Sequence, residues 1–446
     1  MTKVITYGTY DLLHYGHIRL LERAKALGDY LVVGITSDAY DKTRGKINNQ
    51  QTLMERIAAV EATGLADEIV VEEYEGQKID DIKRLNIDIF TVGSDWEGYF
   101  DYLNDYCKVI YLERTEGVSS SQIRAKNSSL KIGLIGSAQF LEKVYKESKV
   151  VNGGIVCGIY SDHLKSIPDS LKNLDIVTDD FKLLLENVDA VYVHSYPSIH
   201  YEQIKYALNL GKHVLAESPI ALSRAQCEEL MDLAQNNKVV LMEAIRTAYS
   251  TAYNRLLVIL QSGKIGDIVS VDATCTNLKK VNDKELDKKW NSITAWGPTA
   301  LLPVFQILGD KYTEKRIITR IKQGNKDVKF DTFTKIDFVF KNATASIKVG
   351  RGVKSEGELL ISGTKGYAYV PAPWWKTDYF ELRYENPADN RRYFYQLDGE
   401  GIRYELVSFL QAIRVGRNNL QISNAITNAI SGIMEDFYND KNIAFI

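Results

Sequence analysis

A short apolar run that breaks at glycine and passes straight into helical spacing constrains this chain most. Val4-Ile5-Thr6-Tyr7 reads as a buried strand, and Ile18 to Leu27 repeats its apolar residues at helical period. Between them lies Gly8-Thr9-Tyr10-Asp11-Leu12-Leu13-His14-Tyr15-Gly16-His17. The pattern continues with strand signals at 30–36, 68–71, 87–92 and 108–112 and a helical one at 52–63. Such alternation predicts an α/β, doubly wound, five-stranded parallel sheet. Ligands of that fold bind beyond the carboxyl ends of the strands, where the histidine stretch falls.

His14 and His17 therefore sit where a strand hands over to a helix N-terminus. That end offers unpaired N–H groups and partial positive charge, a seat for phosphate. Gly16 lets a phosphate approach the backbone. A metal pair is an alternative, but no third His, Cys or carboxylate stands at ligand spacing. A nucleoside triphosphate fits better, with both imidazoles donating to charge on the α-phosphate. Gly8, Thr9, Tyr10, Asp11 and Gly16 complete this part of the candidate nucleotide site. A second segment, Arg114 to Ile123, places Thr115, Gly117, Ser119 and Ser120 before a short helix. Its hydroxyls and N–H groups can hold phosphate, and the planar Arg114 fork matches two phosphate oxygens. The basic loop Asp41 to Lys46 suits a lid over a triphosphate.

The chain has 446 residues, 25% of them charged, with a net charge of −3. That length predicts two or three domains. The balance argues against nucleic-acid or membrane binding. Four scattered cysteines without CxxC spacing fit a reducing cytoplasm. The N-terminus enters a strand directly, so no signal peptide is expected.

The pattern G-T-x-D-x-x-H-x-G-H after a first strand resembles the HxGH signature of nucleotidyltransferases. Residues 1 to about 125 resemble the glycerol-3-phosphate cytidylyltransferase family over nearly their full length. The matching stretches are YGTYDLLHYGHIRLLERAKALGDYLVVGITSD, VGSDWEGYFDYL and RTEGVSSSQI. The resemblance implies that a polyol phosphate attacks the α-phosphate of CTP, carried with Mg²⁺, and displaces pyrophosphate. It implies catalytic roles for His14, His17, Lys46 and Arg114, with Lys42 and Arg44 as other registers of the loop cation. Arg56 and Asp95 join the nucleotide site on the same ground. A second family arginine falls on Gly64. A phosphate monoester is mostly dianionic near neutral pH, so no nucleophilic side chain is needed; positioning and charge stabilisation suffice.

Small polar residues at 125–129 read as a linker. A strand signal at 130–136 then runs into Ser137-Ala138-Gln139-Phe140-Leu141, a worn dinucleotide fingerprint. Gly136 matches its first glycine, Ala138 replaces the second, and Leu141 replaces the last small residue. Further strands are expected at 155–162 and 188–193. Residues 130 to about 440 resemble the glucose–fructose oxidoreductase and inositol dehydrogenase family, in 198–234, 252–275, 363–375 and 398–405. This implies a Rossmann domain to about residue 250, then an open-sheet α/β domain that commonly mediates oligomerisation. It implies an NAD(P) site touching Gly136, Ser137, Ala138, Ser161 and Glu217. The family's Glu-Lys-Pro stands here as Glu217-Ser218-Pro219, and all six histidines precede residue 214. The counterpart of the family's histidine segment, Trp296 to Pro303, carries no histidine. Hydride transfer needs a proton partner, so at most a feeble dehydrogenase is expected. Tyr192 and His194, near a strand end, are substitutes for which a structural role is the plainer reading.

The expectation for the whole chain is a cytoplasmic cytidylyltransferase making CDP-glycerol for teichoic acid or capsule. Its domains are 1–128, 130–250 and 251–446. Its partners are CTP and a small polyol phosphate, with homo-oligomers forming through the last domain. The oxidoreductase-like part is a dimerising scaffold, a dehydrogenase making the polyol phosphate, or an NAD(P) sensor.

Overall fold

The computed structural model describes the chain except residues 14, 44–48, 50, 114–128, 137, 138, 279–287, 323–328, 377, 396, 398 and 417–420, and the side chains of 39, 42 and 43. The chain divides into two compact units, Met1–Ser129 and Leu130–Ile446.

The first unit holds five parallel strands: β1 Lys3–Gly8, β2 Tyr30–Thr36, β3 Glu68–Glu72, β4 Ile89–Gly93 and β5 Lys108–Leu112. Their order is β3-β2-β1-β4-β5. The strands are apolar runs because both faces are covered. Val4, Leu31 and Val33 pack with Leu21, Ala24 and Val60 on one face; Ile5 and Val32 pack with Ile82, Phe90 and Leu103 on the other. The helix expected over 52–63 runs Leu53–Glu61, because Thr52 caps it. Thr52 and Glu55 form a reciprocal capping box that satisfies two otherwise orphaned N–H groups.

The second unit opens with six parallel strands: β6 Leu130–Ile135, β7 Gly154–Tyr160, β8 Ile176–Thr178, β9 Ala190–Val193, β10 His213–Glu217 and β11 Leu241–Ala244. Their order is β11-β10-β9-β6-β7-β8, the doubly wound arrangement of dinucleotide-binding folds. Nine further strands follow: β12 Ile268–Asn277, β13 Glu314–Ile321, β14 Asp331–Val339, β15 Thr344–Arg351, β16 Leu359–Gly363, β17 Tyr367–Val370, β18 Tyr379–Arg383, β19 Arg391–Phe394 and β20 Ile443–Phe445. They form one mixed sheet, ordered β19-β18-β17-β16-β12-β15-β14-β13-β20. The helix Ser292–Leu308 packs on β12, β14 and β15.

That packing covers the apolar face of β14 and β15. Ile336, Phe338, Ala345, Ile347 and Val349 are buried, and Phe338 meets Phe305 of the helix edge-on. The alternate positions on β14 and β15 are polar: Lys335 and Ser346 both bond Asp337. Among the described residues no helix is long and apolar enough to cross a membrane.

Candidate functional sites at two switch points

In the first sheet the winding reverses between β1 and β4, so the crevice for a ligand opens beyond their carboxyl ends. The histidine stretch leaves β1 there, and the short turn Ser94–Trp96, bearing Asp95, leaves β4. The helix Tyr15–Lys25 places Gly16 and His17 in its first turn. Between strand and helix the backbone is forced: Tyr10 and Leu12 take φ of 54° and 48°, a region bulky residues rarely adopt. Such conformations persist where surroundings over-determine them, commonly at functional sites. Tyr10 is one of these surroundings. Its ring is 1% exposed and stands edge-on to His17 at 5.5 Å. Burial pushes its phenol well above the usual range, so it is neutral. A side chain at Gly8 would meet that ring at 3.0 Å.

The rest of the bracing comes from residues 38–56. Asp11 Oδ1 accepts from the Gln51 N–H, and Gln51 Oε1 accepts from the Leu12 N–H. Asp41 accepts from Thr9 and Asn49. Arg56 is fully buried. Its guanidinium donates to the carbonyls of Thr9, Thr36 and Gln51 and to Asp38. These bonds let Arg56 brace the loop after β1, beside the nucleotide role that the resemblance implies for it. Sequence reasoning missed Asp38, Asp41 and Gln51. The signal that could have found the last is the box Thr52-x-x-Glu55, which fixes a helix start beside it. His14, Lys46, Arg114, Thr115, Gly117, Ser119 and Ser120 lie outside the described residues.

In the six-stranded sheet the reversal falls between β6 and β9. Gly136 ends the first and His194 the second. Gly136 has φ 132°, and a Cβ there would lie 2.2 Å from the His194 carbonyl oxygen. Only glycine lets the two strand ends approach so closely. Ser137 and Ala138 lie outside the described residues. Ser161, at the end of β7, is 1% exposed; its hydroxyl accepts from the His163 N–H, so it braces its own turn.

Four polar side chains converge beneath that crevice. Tyr192 Oη lies 2.6 Å from Glu217 Oε1 and 2.9 Å from Glu405 Oε1. His194 Nδ1 lies 3.8 Å from Glu217 Oε1. Burial drives the Glu405 carboxyl well above its ordinary range, reinforced by the Glu217 charge. Burial also pushes Glu217 upward, but His194, Arg246 and Tyr192 together hold it below the ordinary value. The same surroundings thus push one carboxyl up and hold its neighbour down. The His194 ring packs on Phe140 at 4.6 Å and edge-on to Trp290 at 5.3 Å. Two atoms here, His194 Nδ1 and Glu405 Oε2, are buried without a hydrogen-bond partner. A switch-point crevice, a glycine-closed strand end and orphaned polar atoms fit a dinucleotide and its substrate.

A five-stranded parallel sheet with His17 in the first helical turn at its switch point fits the nucleotidyltransferase class. Residues 5–126 match the Cytidylyltransferase-like family, and residues 130–245 match the Oxidoreductase family, NAD-binding Rossmann fold. Through its first unit the chain belongs to the glycerol-3-phosphate cytidylyltransferase family, fused to an oxidoreductase-like unit. It is 48% identical over 130 residues to the glycerol-3-phosphate cytidylyltransferase of Bacillus spizizenii, covering 29% of this chain and 100% of that one. The Staphylococcus aureus protein of the same name is 47% identical over 124 residues, 28% of this chain and 93% of the relative. Among solved structures, KijD10, a 3-ketoreductase from Actinomadura kijaniata in complex with NADP and TDP-benzene, aligns with TM-score 0.62 at 18% identity over 71% of this chain and 99% of its own. Levoglucosan dehydrogenase in complex with NADH and levoglucosan aligns at 0.60 and 16%, over 70% of this chain and 97% of its own. At these identities the likeness concerns fold alone.

Proposed function

We propose that the first unit transfers a cytidylyl group from CTP to glycerol 3-phosphate, releasing pyrophosphate and forming CDP-glycerol for teichoic acid or capsule synthesis in the cytoplasm. The observation that carries this reading is His17 in the first helical turn at the β1–β4 switch point, in a unit matching cytidylyltransferases end to end. A phosphate oxygen of the acceptor attacks the α-phosphorus, and the bond to the bridging oxygen of pyrophosphate breaks. Charge builds on the non-bridging α-oxygens, where His14 and His17 donate hydrogen bonds. Lys46 and Arg114 hold the outer phosphates, and Thr115, Gly117, Ser119 and Ser120 supply further donors. Mg²⁺ bound to the triphosphate supplies charge neutralisation. Asp95, across the switch point on the β4 side, is assigned to the nucleoside. A product assay by mass spectrometry tests this, crossing CTP and ATP with glycerol 3-phosphate and longer polyol phosphates. CDP-glycerol as main product is expected; ATP as preferred donor, or a preferred longer acceptor, overturns the stated specificity.

For the second unit the reading is a nicotinamide-dinucleotide module that also joins copies of the chain. Its strand order and Gly136 support the first part, together with the NADP and NADH of the two aligned structures. Fluorescence titration with NADH and NADPH, and light scattering on the full chain, test the two parts separately.

A further inference from the structure

The family lysine is absent from the turn after β10, where Ser218 stands. Its hydroxyl is committed to the buried Glu243 carboxyl. A proton partner must come from elsewhere if the crevice works on a hydroxyl or carbonyl. We infer that His194, oriented by Glu217, is the acid–base residue of a second active site in this chain, acting on a small hydroxy or keto compound. The inference rests on the dinucleotide reading of the second unit.

Geometry carries it. His194 sits at the carboxyl end of β9, on one side of the switch point, facing Gly136 across it. Its Nδ1 is buried 3.8 Å from Glu217 Oε1, an ion-pair distance without a hydrogen bond, whereas Nε2 is not among the buried unpartnered atoms. A carboxylate at that distance favours the imidazolium that forms when His194 takes a proton. The carboxylate has its own support. A phenol carries one proton, so Tyr192 donates to one carboxyl at a time, and Glu217, held low and at 2.6 Å, is the better acceptor. Tyr192 thus links the two carboxyls, with Arg246 opposing the charge on Glu217 and His194 at ion-pair distance. Two carboxyls pushed apart by their surroundings mark acid and base roles more often than inert packing. A purely structural carboxyl pair would not need a histidine aimed at it from the ligand crevice.

The step balances. In oxidation the substrate O–H bond breaks and its proton passes to His194 Nε2. The carbinol C–H pair leaves as hydride to the nicotinamide dinucleotide, and a C=O bond forms. Reduction reverses each transfer, with His194 as donor. A keto-phosphate reduced in this way becomes a hydroxy-phosphate, the chemical class the first unit is proposed to activate.

The test uses the full chain and two readouts. Quenching of tryptophan fluorescence, with Trp290 against His194, reports binding of NADH and NADPH. Mass spectrometry reports deuterium passed from 4-deuterated NADH or NADPH to dihydroxyacetone phosphate and to pentulose phosphates. Wild type should bind and transfer. His194→Gln should keep dinucleotide quenching while losing about 10²–10⁴ of the transfer rate. Glu217→Gln should retain part of that rate with a displaced pH profile, which a merely structural role would not produce. CTP-dependent pyrophosphate release should be unchanged in both variants. Equal transfer by His194→Gln overturns the assignment, as does wild-type binding without transfer to any of these ketones. Absence of quenching by either dinucleotide in wild type overturns the dinucleotide reading and this inference together.

Discussion

Arg56 Nη1 stands 2.7 Å from the carbonyl oxygen of Thr9, a bond that ties the loop after β1 to the helix Leu53–Glu61. The same guanidinium also reaches Thr36, Gln51 and Asp38. A lysine ammonium is a point charge and cannot span four acceptors in these directions. Arg56→Lys should therefore cost about 2–3 kcal/mol of stability through unpaired buried carbonyls. Turnover with CTP should fall as well, because Thr9 is released. Urea unfolding and a pyrophosphate-release assay check both.

His17→Ala should leave the fold intact while lowering kcat with CTP by about 10²–10³, the worth of one preorganised donor to a developing oxyanion. The KM for CTP should move less than kcat. Thermal melting alongside steady-state kinetics checks this, and wild-type turnover removes His17 from the catalytic step.

Gly136→Ala should destabilise the second unit by about 2 kcal/mol or more, since φ 132° and the His194 carbonyl both oppose a Cβ. The β6 end must then move from β9. The cytidylyl transfer proposed for the other unit should persist at temperatures below the melt. Differential scanning calorimetry and the product assay separate the two effects.

Glu243 predicts a pH dependence. It is 4% exposed, and burial raises its carboxyl from 4.5 to about 7, against the opposing bonds of Ser218, Thr427 and the Ile220 backbone. The folded state thus holds the proton more tightly than the unfolded chain. Its contribution is complete below about pH 4.5 and is lost as pH rises to about 7. The span is on the order of 3 kcal/mol. Glu243→Gln should remove this slope, read as melting temperature against pH between 4.5 and 8.

The central strands of the first sheet were legible because they are apolar runs buried on both faces: Val4–Tyr7 and Leu31–Ile35 could be little else, whereas β8, β10 and β11 are short and were not read from the sequence. The HxGH stretch was legible because a strand and a helical period bracket it. Tyr10 and Leu12 in left-handed backbone were not, since nothing in their chemistry favours that conformation. The meeting of Tyr192 with Glu405 was hidden too. It joins residues 213 positions apart, and its partner sits on the helix Ile402–Val415, where a buried glutamate looks like any other polar position.

The central place of β1 in its sheet has a consequence for synthesis. One edge of β1 is covered once β2 is made, but the other waits for Ile89–Gly93 to leave the ribosome. Until then a nascent chain exposes a hydrophobic strand with unpaired backbone, the species most open to wrong partners. All five strands end by residue 112, so this exposure closes before the second unit's six-stranded sheet can be completed. β6 repeats the pattern, waiting for Ala190–Val193. The chain thus passes through two separate vulnerable intervals, and a folding defect in the later one leaves an earlier unit already closed.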